Sequence, residues 1–246
     1  MKELGLQLYS LKDDFAKDFK GAMEKVAKMG YTQVEFAGYG GLSPAEMKEL
    51  LAKTGLEPVA SHVSLPELEE KLDFHIDYLK AVGCPTLVCA WAGMKTADEA
   101  AQVGEKLSAM AEKCAQAGLS FAYHNHGHEF DKTPGGECLF DIMMRHGGNL
   151  LMVEFDVFWI AFAGEDPIDY MKRYAGRVMY IHLKELGVKE DGSKFNAIPG
   201  RGTLDFPAIL KTGEKLGVEA YFVEQEAGDY VSAEAVAEAA QYFAAL

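Results

Sequence analysis

What this chain of 246 residues lacks closes off several classes of protein at once. It has no run of about 18 apolar residues, the length a membrane-spanning helix needs, so no membrane span is expected. Its opening, "MKELGLQLYSL", passes directly into a strand-like pattern without a signal-peptide cleavage region, which predicts a cytoplasmic protein. Cysteine is sparse: Cys84, Cys89, Cys114 and Cys138 form no CxxC pair. In a reducing compartment these read as buried free thiols rather than disulfides or zinc ligands. Positive charge is short, with 24 Lys and Arg against 38 Asp and Glu, a formal net charge of −14. That balance argues against nucleic-acid backbones, which demand a basic groove, and against an anionic membrane surface. Small neutral sugars or polyols fit it better. No low-complexity stretch or linker divides the chain, so one domain over residues 1–246 is expected.

Apolar residues make up 49% of the chain and charged ones 25%, enough for a sizeable core. The apolar residues fall into eight short runs: "LGLQLYS" (4–10), "QVEFAG" (33–38), "LEPVASHV" (56–63), "PTLVCAW" (85–91), "LSFAYHN" (119–125), "LLMVEFD" (150–156), "RVMYIHLK" (177–184) and "VEAYFVEQ" (218–225). Each is what a strand covered on both faces would show. Helical patterns separate them. In "SPAEMKELLAKTG" (43–55) Ser43 can cap, Pro44 takes the first helical position and Gly55 ends the helix. The segment 96–118 is longer, punctuated by Thr96 and Gly118, and "SAEAVAEAAQYFAAL" closes the chain. Eight strand–helix units spell an α/β fold, a single (β/α)8 TIM barrel. A doubly wound open sheet is the competitor, but no GxGxxG follows the first run.

In such a barrel the chemistry sits where the strands end. In order, the ends carry Gln7 and Tyr9, Glu35, His62, Trp91, the stretch "YHNHGHEF" (123–130), Asp156, His182 and Glu224. That stretch holds three of the seven histidines at alternate positions, so His124, His126 and His128 share one face if it is extended. Strands five to eight are neighbours, and imidazole and carboxylate from all four can converge. Singly, Asp156 reads as a helix cap and His182 as a rim residue. Glu224 directly follows a buried run and needs a partner. Their matched offsets make a metal site the better reading, with Glu226 and Glu154 as decoys. His128 is expected at the solvent-facing rim, and His75 and His146 in structural or surface roles.

The series "YHNHxxEF", "EFDVFW", "YIHLKE", "PGRGTLDF" and "YFVEQE" resembles the xylose isomerase-like barrels, the sugar phosphate isomerase/epimerase superfamily. The resemblance covers the whole chain and is most specific over 119–226. It implies one divalent cation, Mn2+, Mg2+ or Co2+ with Zn2+ as a further candidate, held by Glu, Asp, His and Glu from strands five to eight. Asp156, His182 and Glu224 match the last three. Two positions depart from the pattern: strand five ends in "YHNH", and Trp159 stands where many epimerases have a histidine. Family analogy favours Glu129 as the fourth ligand, His124 sits at the strand end, and His126 is left to act as acid or base near neutral pH.

The resemblance implies a sugar isomerase or epimerase that moves a proton next to a carbonyl, through an enediolate that the metal stabilises. The alternative is a carbon–oxygen lyase of the inosose or 3-dehydroshikimate dehydratase type, in which a β-hydroxyl leaves. Glu224, His124, His126 and Lys184 are the expected catalytic groups, although Lys184 is equally suited to a salt bridge with Glu226 or Asp156. His62, Trp91, Glu35, Trp159 and Arg201 are expected around the substrate. Arg201 lies in the loop after strand seven, where barrels often grip phosphate or hydroxyls, with Gly200 and Gly202 allowing close backbone approach. A metal-dependent nuclease is disfavoured by the charge, and a non-catalytic sugar-binding module by the density of carboxylates. A homo-oligomer stays open.

Overall fold

The computed structural model describes residues 3–226 and 232–246. Eight parallel strands close on themselves: β1 (Gly5–Gln7), β2 (Gln33–Phe36), β3 (Glu57–Ser64), β4 (Thr86–Trp91), β5 (Ser120–His124), β6 (Leu151–Asp156), β7 (Val178–Leu183) and β10 (Ala220–Val223). Their order round the barrel is β1-β10-β7-β6-β5-β4-β3-β2, so the fold is the expected (β/α)8 barrel. Helices α1 (Lys12–Lys17), α2 (Phe19–Lys28), α3 (Pro44–Thr54), α4 (Leu65–Val82), α5 (Ala97–Gln116) and α6 (Leu139–His146) surround the first half. The second half carries α7 (Val157–Phe162), α8 (Pro167–Arg173), α9 (Phe206–Leu216) and α10 (Ser232–Ala245). Among the described residues, no helix is long and apolar enough to cross a membrane.

The helix boundaries follow local chemistry. Ser43 and Glu46 form a reciprocal capping box at α3, and Gly55 ends that helix in the left-handed region at φ 70°. Thr96 and Glu99 do the same for α5. Two apolar layers result. The larger lies between strands and helices, around Leu6, Val34, Phe121, Phe155 and Ile181. The smaller fills the barrel interior with Val88, Ala122, Tyr180 and Phe222. Inward-facing positions nearer the strand ends turn polar, and the site is built on that plug.

Three local features depart from the sequence pattern. β1 is only three residues long. Its end is turned into a 3-10 segment (Leu8–Leu11) because the Gln7 side chain accepts from the Tyr9 N–H at 2.8 Å. The long apolar stretch after β6 breaks into α7 and α8 at Asp166–Pro167. Between β7 and α9 an antiparallel hairpin, β8 (Glu185–Val188) and β9 (Lys194–Ala197), stands outside the barrel.

All four cysteines are free and buried. Burial pushes the thiols of Cys84, Cys89 and Cys114 up to about 12. At pH 8 such a thiol is ionised to roughly 1 part in 10,000, and the thiolate is the nucleophile. Iodoacetamide at pH 8 is therefore expected to leave these three cysteines unmodified in the native protein and to label them fully in guanidinium. Mass spectrometry reads the result; rapid native labelling of any of the three would contradict this burial.

Candidate metal centre

Four buried side chains meet at the mouth of the barrel. His124, Asp156, His182 and Glu224 each offer one ligand atom, and these atoms lie within 4.8 Å of one another. Strand register brings them together: Asp156 of β6 pairs with His182 of β7, and Glu224 directly follows β10 beside it. Asp156 is also the N-cap of α7. Its Oδ1 accepts from the N–H groups of Phe158 at 2.8 Å and Trp159 at 3.3 Å. Its Oδ2 is buried and has no hydrogen-bond partner. Burial pushes the carboxyl up to about 7, against the pull of Lys184, whose Nζ is 3.9 Å away. An unsatisfied carboxylate oxygen among nitrogen and oxygen donors is what a hard or borderline divalent cation requires.

A second layer stands behind the first. Glu154, two residues before Asp156 on the same inward face, has one oxygen that faces three imidazoles. His62 Nε2 is at 2.5 Å, His124 Nδ1 at 3.0 Å and His182 Nε2 at 3.0 Å. Glu35 reinforces this from β2, taking His182 Nε2 at 2.7 Å and the Gln7 amide at 2.8 Å. His124 thus uses Nδ1 inward and keeps Nε2 as its second nitrogen. His182 uses Nε2 inward and presents Nδ1 to Glu224 at 3.1 Å. Carboxylates behind imidazoles are the usual device for fixing the tautomer and ring angle of metal-ligating histidines. His62, His124, Glu154 and His182 also satisfy the same mutual-distance condition as the outer four.

Charge follows from burial and neighbours. Burial alone would raise the Glu154 pKa, but His182 and His62 outweigh it and hold the carboxyl well below its usual range. Burial would lower the His62 pKa, yet Glu35 and Glu154 lift it to about 10. His182 is raised in the same way, by Glu154 and Glu35 against burial. His124 goes the other way, to about 4, through burial and the positive charge of His182. It is neutral, the state in which imidazole binds metal.

Several expectations need correction. Glu129 does not join either group. Its carboxylate is fully buried and accepts from Tyr123 Oη at 2.7 Å and from the His126 N–H at 2.9 Å, pinning the loop after β5. His126 is pushed down to about 2, by burial first and then by His124, so it stays neutral instead of titrating near pH 7. Arg201 pairs with Glu238 of α10 and does not line the site pocket. The N–H groups of Leu186, Gly200, Thr203 and Leu204 are already spent on the buried Glu185 carboxylate at 2.9 to 3.2 Å. A Cβ on Gly202 would stand 2.3 Å from Leu186 O and 2.4 Å from that carboxyl, which is why glycine is needed there.

His62, Trp91, His124, His126 and Glu224 line a pocket of about 630 Å3 with Tyr9 and Glu226. Lys184 is buried and pairs with Glu226, with Glu224 at 3.7 Å and Asp156 further off. Burial would lower its pKa, but the carboxylates, Glu224 foremost, keep it raised. Glu35 meets the site through His182, His62 and Gln7. Trp159 borders a neighbouring cavity together with His126. His128 is half-buried, 3.0 Å from Ala92 O. His75 is a buried structural residue against Tyr39 Oη.

Residues 23–246 match the family described as xylose isomerase-like TIM barrel. The chain belongs to that family. Inosose dehydratase of Geobacillus kaustophilus (strain HTA426) is 24% identical over 239 residues, which cover 81% of this chain and 76% of the relative. A sugar phosphate isomerase/epimerase from Parabacteroides distasonis ATCC 8503 has a crystal structure that superposes with a TM-score of 0.88 at 26% identity, over 100% of this chain and 99% of that one. The crystal structure of the IOLI protein with a zinc atom bound shares the barrel at 17% identity and a TM-score of 0.75, over 98% and 96% of the two chains.

The geometry separates ligand, support and loop residues by experiment. Asp156→Asn keeps the capping oxygen and removes the charge, so it is expected to lose bound divalent metal with little change in unfolding temperature. Glu154→Gln should retain the ligands but weaken metal affinity by about 10- to 100-fold. Glu129→Gln should keep its metal. Elemental analysis after dialysis reads all three; full metal content in Asp156→Asn would overturn the outer ligand group.

Proposed function

We propose that this chain is a divalent-metal-dependent carbon–oxygen lyase that acts on a polyhydroxylated ketone, a keto-polyol of the inosose kind or a keto-sugar. His124, Asp156, His182 and Glu224 would hold the ion. When bound, it would polarise the substrate carbonyl and offset the negative charge that develops there. The side chains do the rest. Glu224 lines the pocket and is held ionised by Lys184 and His182 against the effect of burial, as a base for the carbon-bound proton must be. Lys184 stands beside it as a fixed positive charge, and Glu226 on the far side of Lys184 also lines the pocket.

The observation that carries this reading is that the proton-transfer groups stand on one wall. Glu224, Lys184 and Glu226 form a contiguous set at the ends of β7 and β10. Of the other carboxylates nearby, Glu154 is committed to three histidines and Glu129 to its loop, and Glu67, which also lines the pocket, lies beside Lys71 and His75. A two-face epimerisation needs an acid and a base on opposite sides of the carbon. Loss of a β-hydroxyl from the face that gives up the proton does not. Likeness to inosose dehydratase supports the same choice. A second reading, an isomerase that returns the proton to the neighbouring carbon on one face, is favoured by the Parabacteroides structure.

Proton NMR in deuterated water separates these outcomes with Mg2+- or Zn2+-loaded protein and a panel of keto-inositols and keto-sugars. The lyase loses water and gains the ultraviolet absorbance of a conjugated carbonyl. An isomerase yields a new carbonyl isomer carrying solvent deuterium. Glu224→Gln is expected to lose at least about a hundredfold in rate, the scale for removing a general base. If no substrate of the panel exchanges a carbon-bound proton under any metal, the proposal fails.

A further inference from the structure

Beside the pocket that contains Glu224 lies a second cavity of about 450 Å3, within the range of roughly 300–1,000 Å3 common for ligand sites. The two share a wall, because Trp91 and His126 line both. Most of the remaining lining is aromatic, with Gly127, Asp131 and Ala163 beside it. Trp159 and Phe162 project from α7 with ring centroids 5.4 Å apart, and His128 faces Trp91 at 6.1 Å. Trp91 is 46% exposed and Phe162 40%. Single exposed apolar side chains are ordinary, but these two border one cleft that opens next to the reactive groups.

The cleft is also held in shape. Lys194 of the β8–β9 hairpin donates to the Phe162 carbonyl at 2.7 Å, and its ammonium lies 5.5 Å from the Phe162 ring centroid. The hairpin therefore braces the end of α7. Two buried polar atoms of the cleft residues, His126 Nδ1 and Trp159 Nε1, have no hydrogen-bond partner, a condition that calls for an explanation in a folded protein. Aromatic faces such as these suit a flat or saturated ring that carries hydroxyls.

We propose that this cleft is a second subsite for the substrate. It holds a further ring, sugar or aromatic, joined to the polyhydroxy ketone seated over Glu224. The preferred substrate is thus a two-ring glycoside of that polyhydroxy ketone, and the one-ring ketone alone binds more weakly. This rests on the reading of the neighbouring pocket as the seat of the reacting ring.

The chain has only two tryptophans; both border this cleft and Trp91 also borders the neighbouring pocket, so tryptophan fluorescence reports binding at either, and the two-ring advantage together with Phe162→Ala assigns it to the cleft. The Mg2+-loaded full chain is titrated with phenyl β-D-glucopyranoside as a two-ring probe and methyl β-D-glucopyranoside as a one-ring probe. Phenyl glucoside is expected to give a saturable change with affinity about tenfold or more tighter, the scale of one aromatic stacking contact. Phe162→Ala, with unchanged circular dichroism and metal content, should bring the two affinities to within about threefold. Equal affinities in the wild type, no saturable change with either probe, or a two-ring advantage that survives Phe162→Ala would each overturn the subsite. The reading of the Glu224 pocket is tested apart from this, by solvent deuterium exchange: exchange with one-ring ketones but no two-ring advantage leaves that reading standing and removes only the subsite.

Discussion

The mouth of this barrel depends on a single carboxylate oxygen, Oε1 of Glu154, placed within hydrogen-bond reach of three imidazoles. A carboxylate taken fully out of water is costly unless it is paired and hydrogen-bonded. Here the compensation comes from three different strands, β3, β5 and β7. The same contacts that offset burial therefore fix the angles of His124 and His182 relative to each other. Such networks are weak contributors to net stability, since desolvation consumes much of the Coulombic gain. Their effect is geometric: two rings are held so that one nitrogen of each is committed inward and the other turns toward Asp156 and Glu224.

Asp156 shows how backbone and site are tied together. Its Oδ1 serves the N-terminus of α7, and that fixed orientation leaves Oδ2 facing the cluster without a partner. Because α7 begins at this residue, Trp159 and Phe162 are set at fixed distances from the cluster on the same short helix. The position of the aromatic cleft is a consequence of the cap. Glu129 works similarly one strand away, where its buried carboxylate holds the His126 backbone and so sets where that imidazole lies between the two cavities.

Periodicity made the barrel legible, because all eight apolar runs became its strands, and Ser43, Pro44 and Gly55 bounded a helix for the reasons their chemistry suggests. The convergence of Asp156, His182 and Glu224 was legible from their places near the ends of neighbouring runs, although the offsets differ by a residue: Asp156 ends β6, His182 stands one before the end of β7 and Glu224 one after β10. Depth was not. A period of two tells which face a residue occupies, but it does not tell how far down the barrel its side chain meets partners, so Glu154 looked like a decoy although it organises the histidines. Glu129 was misplaced because a loop carries no periodicity, and analogy stood in for geometry. The hairpin after β7 had a signal, "DG" at Asp191–Gly192 with Gly192 at φ 83°. Arg201 was misread because the glycines around it serve Glu185, whose buried carboxylate gives no sign of itself in sequence.

Counting charge across both layers shows why a divalent ion suits the site. Five carboxyl groups, Glu35, Glu154, Asp156, Glu224 and Glu226, converge there. Three side chains are held cationic, His62, His182 and Lys184. His124 and His126 are kept neutral by burial. Protons on His182 and Lys184 therefore occupy the electrostatic role a metal would take. A divalent ion held by Asp156 and Glu224 would compete with the His182 proton and would weaken the hold of Glu224 on Lys184. Metal uptake at such a site is coupled to proton release, as it is wherever ligands must be deprotonated. The inner carboxylates would limit the disturbance: Glu154 holds the inward nitrogens of both rings and Glu35 that of His182, so His182 could give up its outer proton and His124 offer its unprotonated nitrogen without either ring turning.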